Sequence, residues 1–215
     1  MRAALESLLR ARKLDSTLPA PGEPRPAEAR APTGRAELDR ALGGGLRRGH
    51  LSEITGPASS GRTTLLVEAF AAATARGEAA ALVDAYDTFD PASAAGRGVA
   101  LPRLLWVREA GDAPRALKAF SLILQAGGFG LVVLDLADVP SAALRRFPCT
   151  TWMRVARIIE ASETVAVIAG AERIARSAGG ATIALGAPSA RWPGTTNRAR
   201  VFGGIAPAPR VVGLR

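Results

Sequence analysis

Leu51-Ser52-Glu53-Ile54-Thr55-Gly56-Pro57-Ala58-Ser59-Ser60-Gly61-Arg62-Thr63-Thr64-Leu65-Leu66-Val67 decides the fold. An apolar, strand-like segment leads through a glycine-bounded turn into a helical pattern, the context a phosphate-binding loop requires. Gly56 and Gly61 can take backbone angles closed to other residues. Successive N–H groups can then point inward as an anion nest at the start of the helix. The spacing G-x-x-x-x-G-x-T-T fits a Walker A loop built from Gly56, Ser59, Ser60, Gly61, Arg62, Thr63 and Thr64. Thr63 stands where the Mg²⁺-bound hydroxyl belongs, but Arg62 replaces the lysine. Lysine works there as a compact point charge, whereas guanidinium is planar, wider and differently hydrated. The loop reads as inherited from a nucleotide binder and altered where it touches the β- and γ-phosphates.

Around this loop, apolar segments at 51–55, 79–84, 104–107, 131–135 and 165–169 alternate with helical patterns at 63–76, 114–126 and 151–161. Such alternation predicts an α/β fold, a mostly parallel twisted sheet with helices on both faces. Residues 179–185 add a strand, and 199–215 read as one or two short strands around Pro207 and Pro209, a short antiparallel extension. The run Leu131-Val132-Val133-Leu134-Asp135 ends in a carboxylate, as a Walker B strand does beside a phosphate loop. Residues 1–17 pattern as an amphipathic helix with Leu5, Leu8 and Leu9 on one face, which must dock on its own domain or on a partner. Residues 18–32 are a proline-rich extended linker. The core is expected over 33–190, opening with a short helix at 36–42 stopped by Gly43-Gly44-Gly45, and the strand extension over 191–215.

With 215 residues, the chain is long enough for one sizeable core. No apolar run approaches the ~20 residues of a membrane span, so no membrane contact is expected. The single cysteine, Cys149, excludes an internal disulfide and a cysteine-rich metal site and fits a reducing, cytoplasmic compartment. A net charge of +9 favours anionic partners, nucleic acid first. Only Lys13 and Lys118 are lysines, so arginine-rich codon supply accounts for part of the excess. His50 reads as a surface or hydrogen-bonded residue, Trp106 as core, and Trp192 as a cap on the sheet edge.

Leu38-Asp39-x-Ala41-Leu42-Gly43-Gly44-Gly45-Leu46, Gly49, Glu53-Ile54 and the phosphate loop together resemble the opening of the RecA recombinase core. Val83-Asp84-Ala85 with Asp90-Pro91 resembles the segment after that core's second strand, and the Asp135 strand its Walker B. The resemblance covers roughly residues 35–185. It implies a RecA-like P-loop fold and assigns roles by position. The glutamate that activates the attacking water is here Tyr86, whose phenol, with a pKa of ~10, cannot act as that base. Asp87 and Asp90 are nearby carboxylates. The adenine-stacking tyrosine falls on Ser93, and the glutamine that senses the γ-phosphate on Ala171. Of the DNA-binding loops, the one after Ala171 looks deleted and the one after Asp135 looks reduced to 139–151. There Arg145, Arg146, Phe147 and, just beyond, Trp152 suit either base stacking or a protein interface.

A RecA core with a degraded ATP site is similar to the ImuA proteins of the RecA/SulA superfamily. That resemblance implies a non-catalytic adaptor in SOS-induced translesion synthesis and mutagenesis. Its implied partners are RecA, the polymerase homologue ImuB and, through it, an error-prone DnaE-type polymerase. DNA contact is expected to be nonspecific, and no ATP, Mg²⁺ or other cofactor is expected to be required. Two alternatives stand beside it: an active DNA-dependent ATPase of the RecA/RadA type, and a SulA-like cell-division inhibitor.

Overall fold

The computed structural model describes residues 29–175, 179–187, 189–196 and 198–213. The amphipathic segment with Leu5, Leu8 and Leu9 lies outside them. The fold starts at a two-residue strand, β1 (Arg30–Ala31), that pairs antiparallel with β2 (Leu46–Arg47), so the last residues of the expected linker belong to the folded body. Between them lies α1 (Ala36–Ala41), followed by Gly43, Gly44 and Gly45, all at positive φ. A Cβ on Gly45 would lie 2.2 Å from the Ala31 carbonyl oxygen. Only glycine lets β2 approach β1 there.

Six parallel-running strands follow: β3 (His50–Thr55), β4 (Ala80–Asp84), β5 (Leu104–Arg108), β6 (Leu131–Asp135), β7 (Val165–Gly170) and β8 (Gly179–Leu185). The chain ends in β9 (Ser189–Ala190), β10 (Ile205–Ala206) and β11 (Pro209–Gly213). One seven-stranded sheet has the order β11-β8-β3-β7-β6-β4-β5, with β11 antiparallel to β8 and every other pairing parallel. The antiparallel extension is therefore present as expected.

The helices between the strands are α2 (Arg62–Ala75), α3 (Pro91–Gly96), α4 (Ala113–Ala126), α5 (Ser141–Leu144) and α6 (Cys149–Ile159). The sheet buries both faces, and alternate residues of one strand enter opposite cores. Leu82, Val133 and Val167 pack with Leu65, Phe70 and Ala73 of α2. Val83, Val132 and Ile168 pack with Phe120 and Leu124 of α4 and Val155 and Ile159 of α6. Two covered faces explain the continuous apolar runs that stand in for strand alternation. A fully buried side chain such as Phe70 or Phe120 stabilises the fold by about 1.5–3 kcal/mol. Among the described residues no helix is long and apolar enough to cross a membrane.

Parallel strands aim their C-terminal ends the same way. Thr55, Asp84, Asp135 and Gly170 are linked through consecutive register pairs, Thr55 with Gly170 and Asp135 with both Ala169 and Asp84. The loops that leave these ends meet at one edge of the sheet, where an open α/β sheet places a ligand crevice.

Candidate functional site

The phosphate loop leaves β3 at Gly56, whose N–H donates to the Gly170 carbonyl at 3.2 Å. A Cβ on Gly56 would stand 2.6 Å from Ser60 Oγ and 2.8 Å from the Leu185 carbonyl oxygen. Ser59 (φ 59°) and Gly61 (φ 94°) both adopt left-handed backbone, and Gly61 is the N-cap of α2. That conformation curls successive amides into a concave nest at the dipole-positive end of a fourteen-residue helix. Ser60 Oγ is buried and makes no hydrogen bond among the described residues. Arg62 turns back and donates Nη1 to the Gly56 carbonyl of its own loop. Thr63 is exposed and Thr64 half-buried beside it. On the outer side, Gly61 packs on buried Pro207, whose Cβ would lie 2.6 Å from a Cβ there.

Two carboxylates end the adjacent strands β4 and β6. Asp84 is buried and organises the turn that follows it. It accepts from the backbone N–H of Tyr86 (3.3 Å) and Phe89 (2.8 Å) and from the indole Nε1 of Trp106 (3.3 Å). Trp106, expected as core, is half-buried and spends its one donor here. Asp135 accepts from the N–H of Ala137 at 2.9 Å. Burial pushes its carboxyl up to about 6, and the charges of Asp84 and Asp138 add to that; the Ala137 amide and the Arg62 guanidinium pull the other way.

The rim carries the groups nearest the reaction position. Tyr86 is 40% exposed, with its ring 3.7 Å from where a side chain on Gly111 would begin. Asp87 is clamped by Arg108, whose Nε and Nη2 donate to its two oxygens at 2.6 and 2.5 Å. That bidentate grip holds the Asp87 carboxyl below the usual range. Asp90 caps α3 through the N–H groups of Ala92 and Ser93 and the Ser93 hydroxyl, and these bonds lower its pKa. Ala171 is exposed and carries no polar atom on its side chain. A cavity of about 230 Å³ opens between Thr63, Thr64 and Val67 on one side and Phe89, Ser93 and Arg97 on the other.

The arrangement fits half of a nucleotide's needs. The backbone N–H groups of Ser59, Gly61, Arg62, Thr63 and Thr64 are donors left to hold phosphate oxygens, since Pro57 has none and those of Gly56 and Ser60 donate to the Gly170 and Pro57 carbonyls; Thr63 and Asp135 are the residues that would hold a phosphate-bound cation. The two carboxylates that the sequence places next to Tyr86 are both engaged: Asp87 is held by Arg108 and Asp90 by its helix cap.

The RecA N-terminal domain family matches residues 20–146 of this chain, more than half of its length. The chain belongs to the RecA N-terminal domain family. Protein RecA of Chlorobaculum tepidum is 44% identical over 115 residues, covering 52% of this chain and 33% of the relative. Protein RecA of Methylococcus capsulatus is 46% identical over 116 residues, covering 53% and 33%. The chain thus spans about a third of the length of these RecA relatives. A RadB recombinase crystal structure superposes with a TM-score of 0.56 at 19% identity, over 73% of this chain and 83% of that one. This similarity supports the RecA-like fold.

A second cavity, about 350 Å³, opens beyond the ends of β6 and β7. Leu144, Phe147, Trp152 and Ile174 line it with apolar surface; Arg145, Arg173, Glu172 and the exposed Cys149 complete its walls. Arg145 reaches Glu172 at 3.7 Å, and Arg146 is exposed. Trp152 is not the free contact residue the sequence suggested. It is 5% exposed and packs edge-on against Phe147, ring centroids 6.0 Å apart, because its position on α6 faces the core. The tight path after Ala171 has a cause invisible in the linear sequence. Glu53, 3% exposed on β3, accepts from the N–H of Ile174 (2.7 Å) and Ala175 (2.5 Å). His50 is hydrogen-bonded as expected, its Nδ1 2.8 Å from the Arg48 carbonyl oxygen. Trp192 departs from expectation: it lies in the connection between β9 and β10, 54% exposed and paired with Phe202.

Proposed function

We propose that this chain is a non-catalytic RecA-like adaptor in DNA damage tolerance, acting in SOS-induced translesion synthesis by binding RecA and the ImuB polymerase homologue. One observation carries the reading: at the position of the water-activating carboxylate stands Tyr86, and the neighbouring Asp87 is locked in a bidentate ion pair with Arg108. A general base must present an unengaged, correctly aimed acceptor to the proton it removes. The Arg62 contact with the Gly56 carbonyl supports the same reading, since it draws the loop's one cation onto its own backbone. Contact is then the protein's use, and the basic cavity bounded by Arg145 and Phe147 is its candidate surface. Purified protein is expected to show no DNA-stimulated ATP hydrolysis and to co-purify with RecA and ImuB in a pull-down with and without residues 1–28, which precede β1. Turnover above background that Asp135→Ala abolishes overturns the proposal.

An active ATPase is the second reading, favoured by the retained nest and by the Asp84–Asp135 pair in register. Arg62→Lys separates the two. A large gain in ATP affinity accompanied by hydrolysis supports an intact catalytic pocket; a gain in affinity without hydrolysis supports the adaptor.

A further inference from the structure

The connection between β9 and β10 holds two large aromatic side chains that belong to neither hydrophobic core. Trp192 and Phe202 are 54% and 53% exposed, and Val201 beside them is exposed as well. Their rings meet edge-to-face at a centroid distance of 5.3 Å and an interplanar angle of 64°. The pair is held in place by backbone bonds. Arg191 N–H donates to the Gly204 carbonyl (2.9 Å), Gly203 N–H to the Arg191 carbonyl (2.8 Å) and Val201 N–H to the Pro193 carbonyl (3.1 Å). Two large rings are thus held about half exposed on a braced turn.

The charge around them has one sign. Residues 186–215 contain five arginines and no aspartate or glutamate. Arg191, Arg198 and Arg200 flank the two rings and are exposed. Exposed aromatic rings in an arginine-bearing stretch of sequence that carries no acid match the two demands of an unpaired nucleic-acid strand. The bases need flat partners, and the phosphates need planar cations. A duplex offers no free base face to Trp192.

We propose that the β9–β10 hairpin is a stacking platform for single-stranded nucleic acid, with Trp192 and Phe202 receiving bases and Arg191, Arg198 and Arg200 receiving phosphates. None of these five residues belongs to the phosphate loop, although Pro207, next after β10, packs on Gly61; the proposal does not depend on whether that loop supports hydrolysis.

The test is titration of the full chain with the oligonucleotide dT20 at several salt concentrations, following tryptophan fluorescence and, in parallel, anisotropy of labelled DNA. Binding with quenching is expected. Trp192→Ala should weaken it roughly five- to 150-fold, the loss of one stacked base, while Trp192→Phe keeps most of the affinity. Arg198→Ser with Arg200→Ser should flatten the slope of log K against log salt by about 1.4, at roughly 0.7 for each single-strand phosphate no longer neutralised. Should the alanine variant disturb the hairpin, seen as a lowered melting temperature, Trp192→Phe and the arginine pair still decide. Three results overturn the proposal: no binding to dT20 at 50 mM salt, binding that none of these substitutions alters, or equal binding to a duplex with the same weakening in each variant. Unaltered dT20 binding combined with loss of RecA capture on Trp192→Ala would reassign the hairpin to a protein partner.

Discussion

Replacing Asp135 by asparagine should stabilise this protein at neutral pH, and more so as pH rises. The folded chain holds the Asp135 proton with a pKa of about 6, against 3.8 for an ordinary aspartate, chiefly because burial penalises the charge. The folded state therefore binds this proton more tightly than the unfolded state does. Its contribution to stability is full below about pH 4, declines as pH rises through the window to 6, and leaves a constant penalty above it. Two pH units at 1.36 kcal/mol each make that penalty about 3 kcal/mol at pH 8. At pH 5 it is about half as large, and near pH 3.5 it vanishes. Asparagine keeps the shape and the oxygen that accepts from Ala137 N–H at 2.9 Å, while the charge is gone. Urea unfolding of parent and variant at pH 5, 6.5 and 8 measures the difference directly. A gain that grows between pH 5 and pH 8 supports the burial argument. A loss of stability of similar size at all three values refutes it, since the carboxylate would then be a net stabilising partner of Arg62.

Three further outcomes concern single side chains. Trp152→Ala should cost about 3–5 kcal/mol in urea unfolding, the ordinary loss for a large aromatic in a core; a cost near zero would return Trp152 to the surface. Glu53→Ala leaves the amides of Ile174 and Ala175 without their acceptor and should cost about 2–4 kcal/mol, with hydrogen exchange at those two amides accelerating more than in the rest of the sheet. Arg108→Ala should raise the Asp87 carboxyl back toward the ordinary aspartate value, followed by NMR titration of its side chain, because the guanidinium is what holds it down; an unmoved titration would place the cause elsewhere.

Much of the sheet was legible because a parallel strand covered on both faces must be apolar throughout. The runs ending in Thr55, Asp84 and Asp135 announce themselves that way. The phosphate loop was equally plain, since its glycines are required where Gly56 and Gly61 meet Ser60, Leu185 and Pro207. The aspects the sequence concealed are contacts between distant residues. Nothing near Glu53 reveals that its side chain holds residues 174 and 175, and nothing near Gly61 reveals Pro207 against it. Asp87 follows the end of β4 and Arg108 ends β5, and the β4–β5 pairing brings them together. Trp152 and Trp192 show the same limit: both sit beside basic residues, yet one faces a core and the other faces water. Helix phase and sheet membership separate them, and composition carries neither.

The distribution of these residues also explains how a RecA-like sheet can survive a change of chemistry at its edge. The side chains that hold the sheet, such as Val83, Leu134 and Ile168, are fully buried within the strands. The positions to which the proposed reading assigns the altered chemistry lie one or more residues beyond the strand ends, where Tyr86, Asp87 and Ala171 are all exposed. Exposed substitutions away from caps and networks usually change stability by less than about 0.5 kcal/mol. Exchanging a carboxylate for Tyr86 therefore carries little folding cost. Asp84 is the exception: its carboxylate organises Tyr86, Phe89 and Trp106, so its loss would unfasten the turn itself. A carboxylate at 84 alongside a phenol at 86 is what this difference in cost predicts, and Asp84→Ala should destabilise the fold where Tyr86→Glu does not.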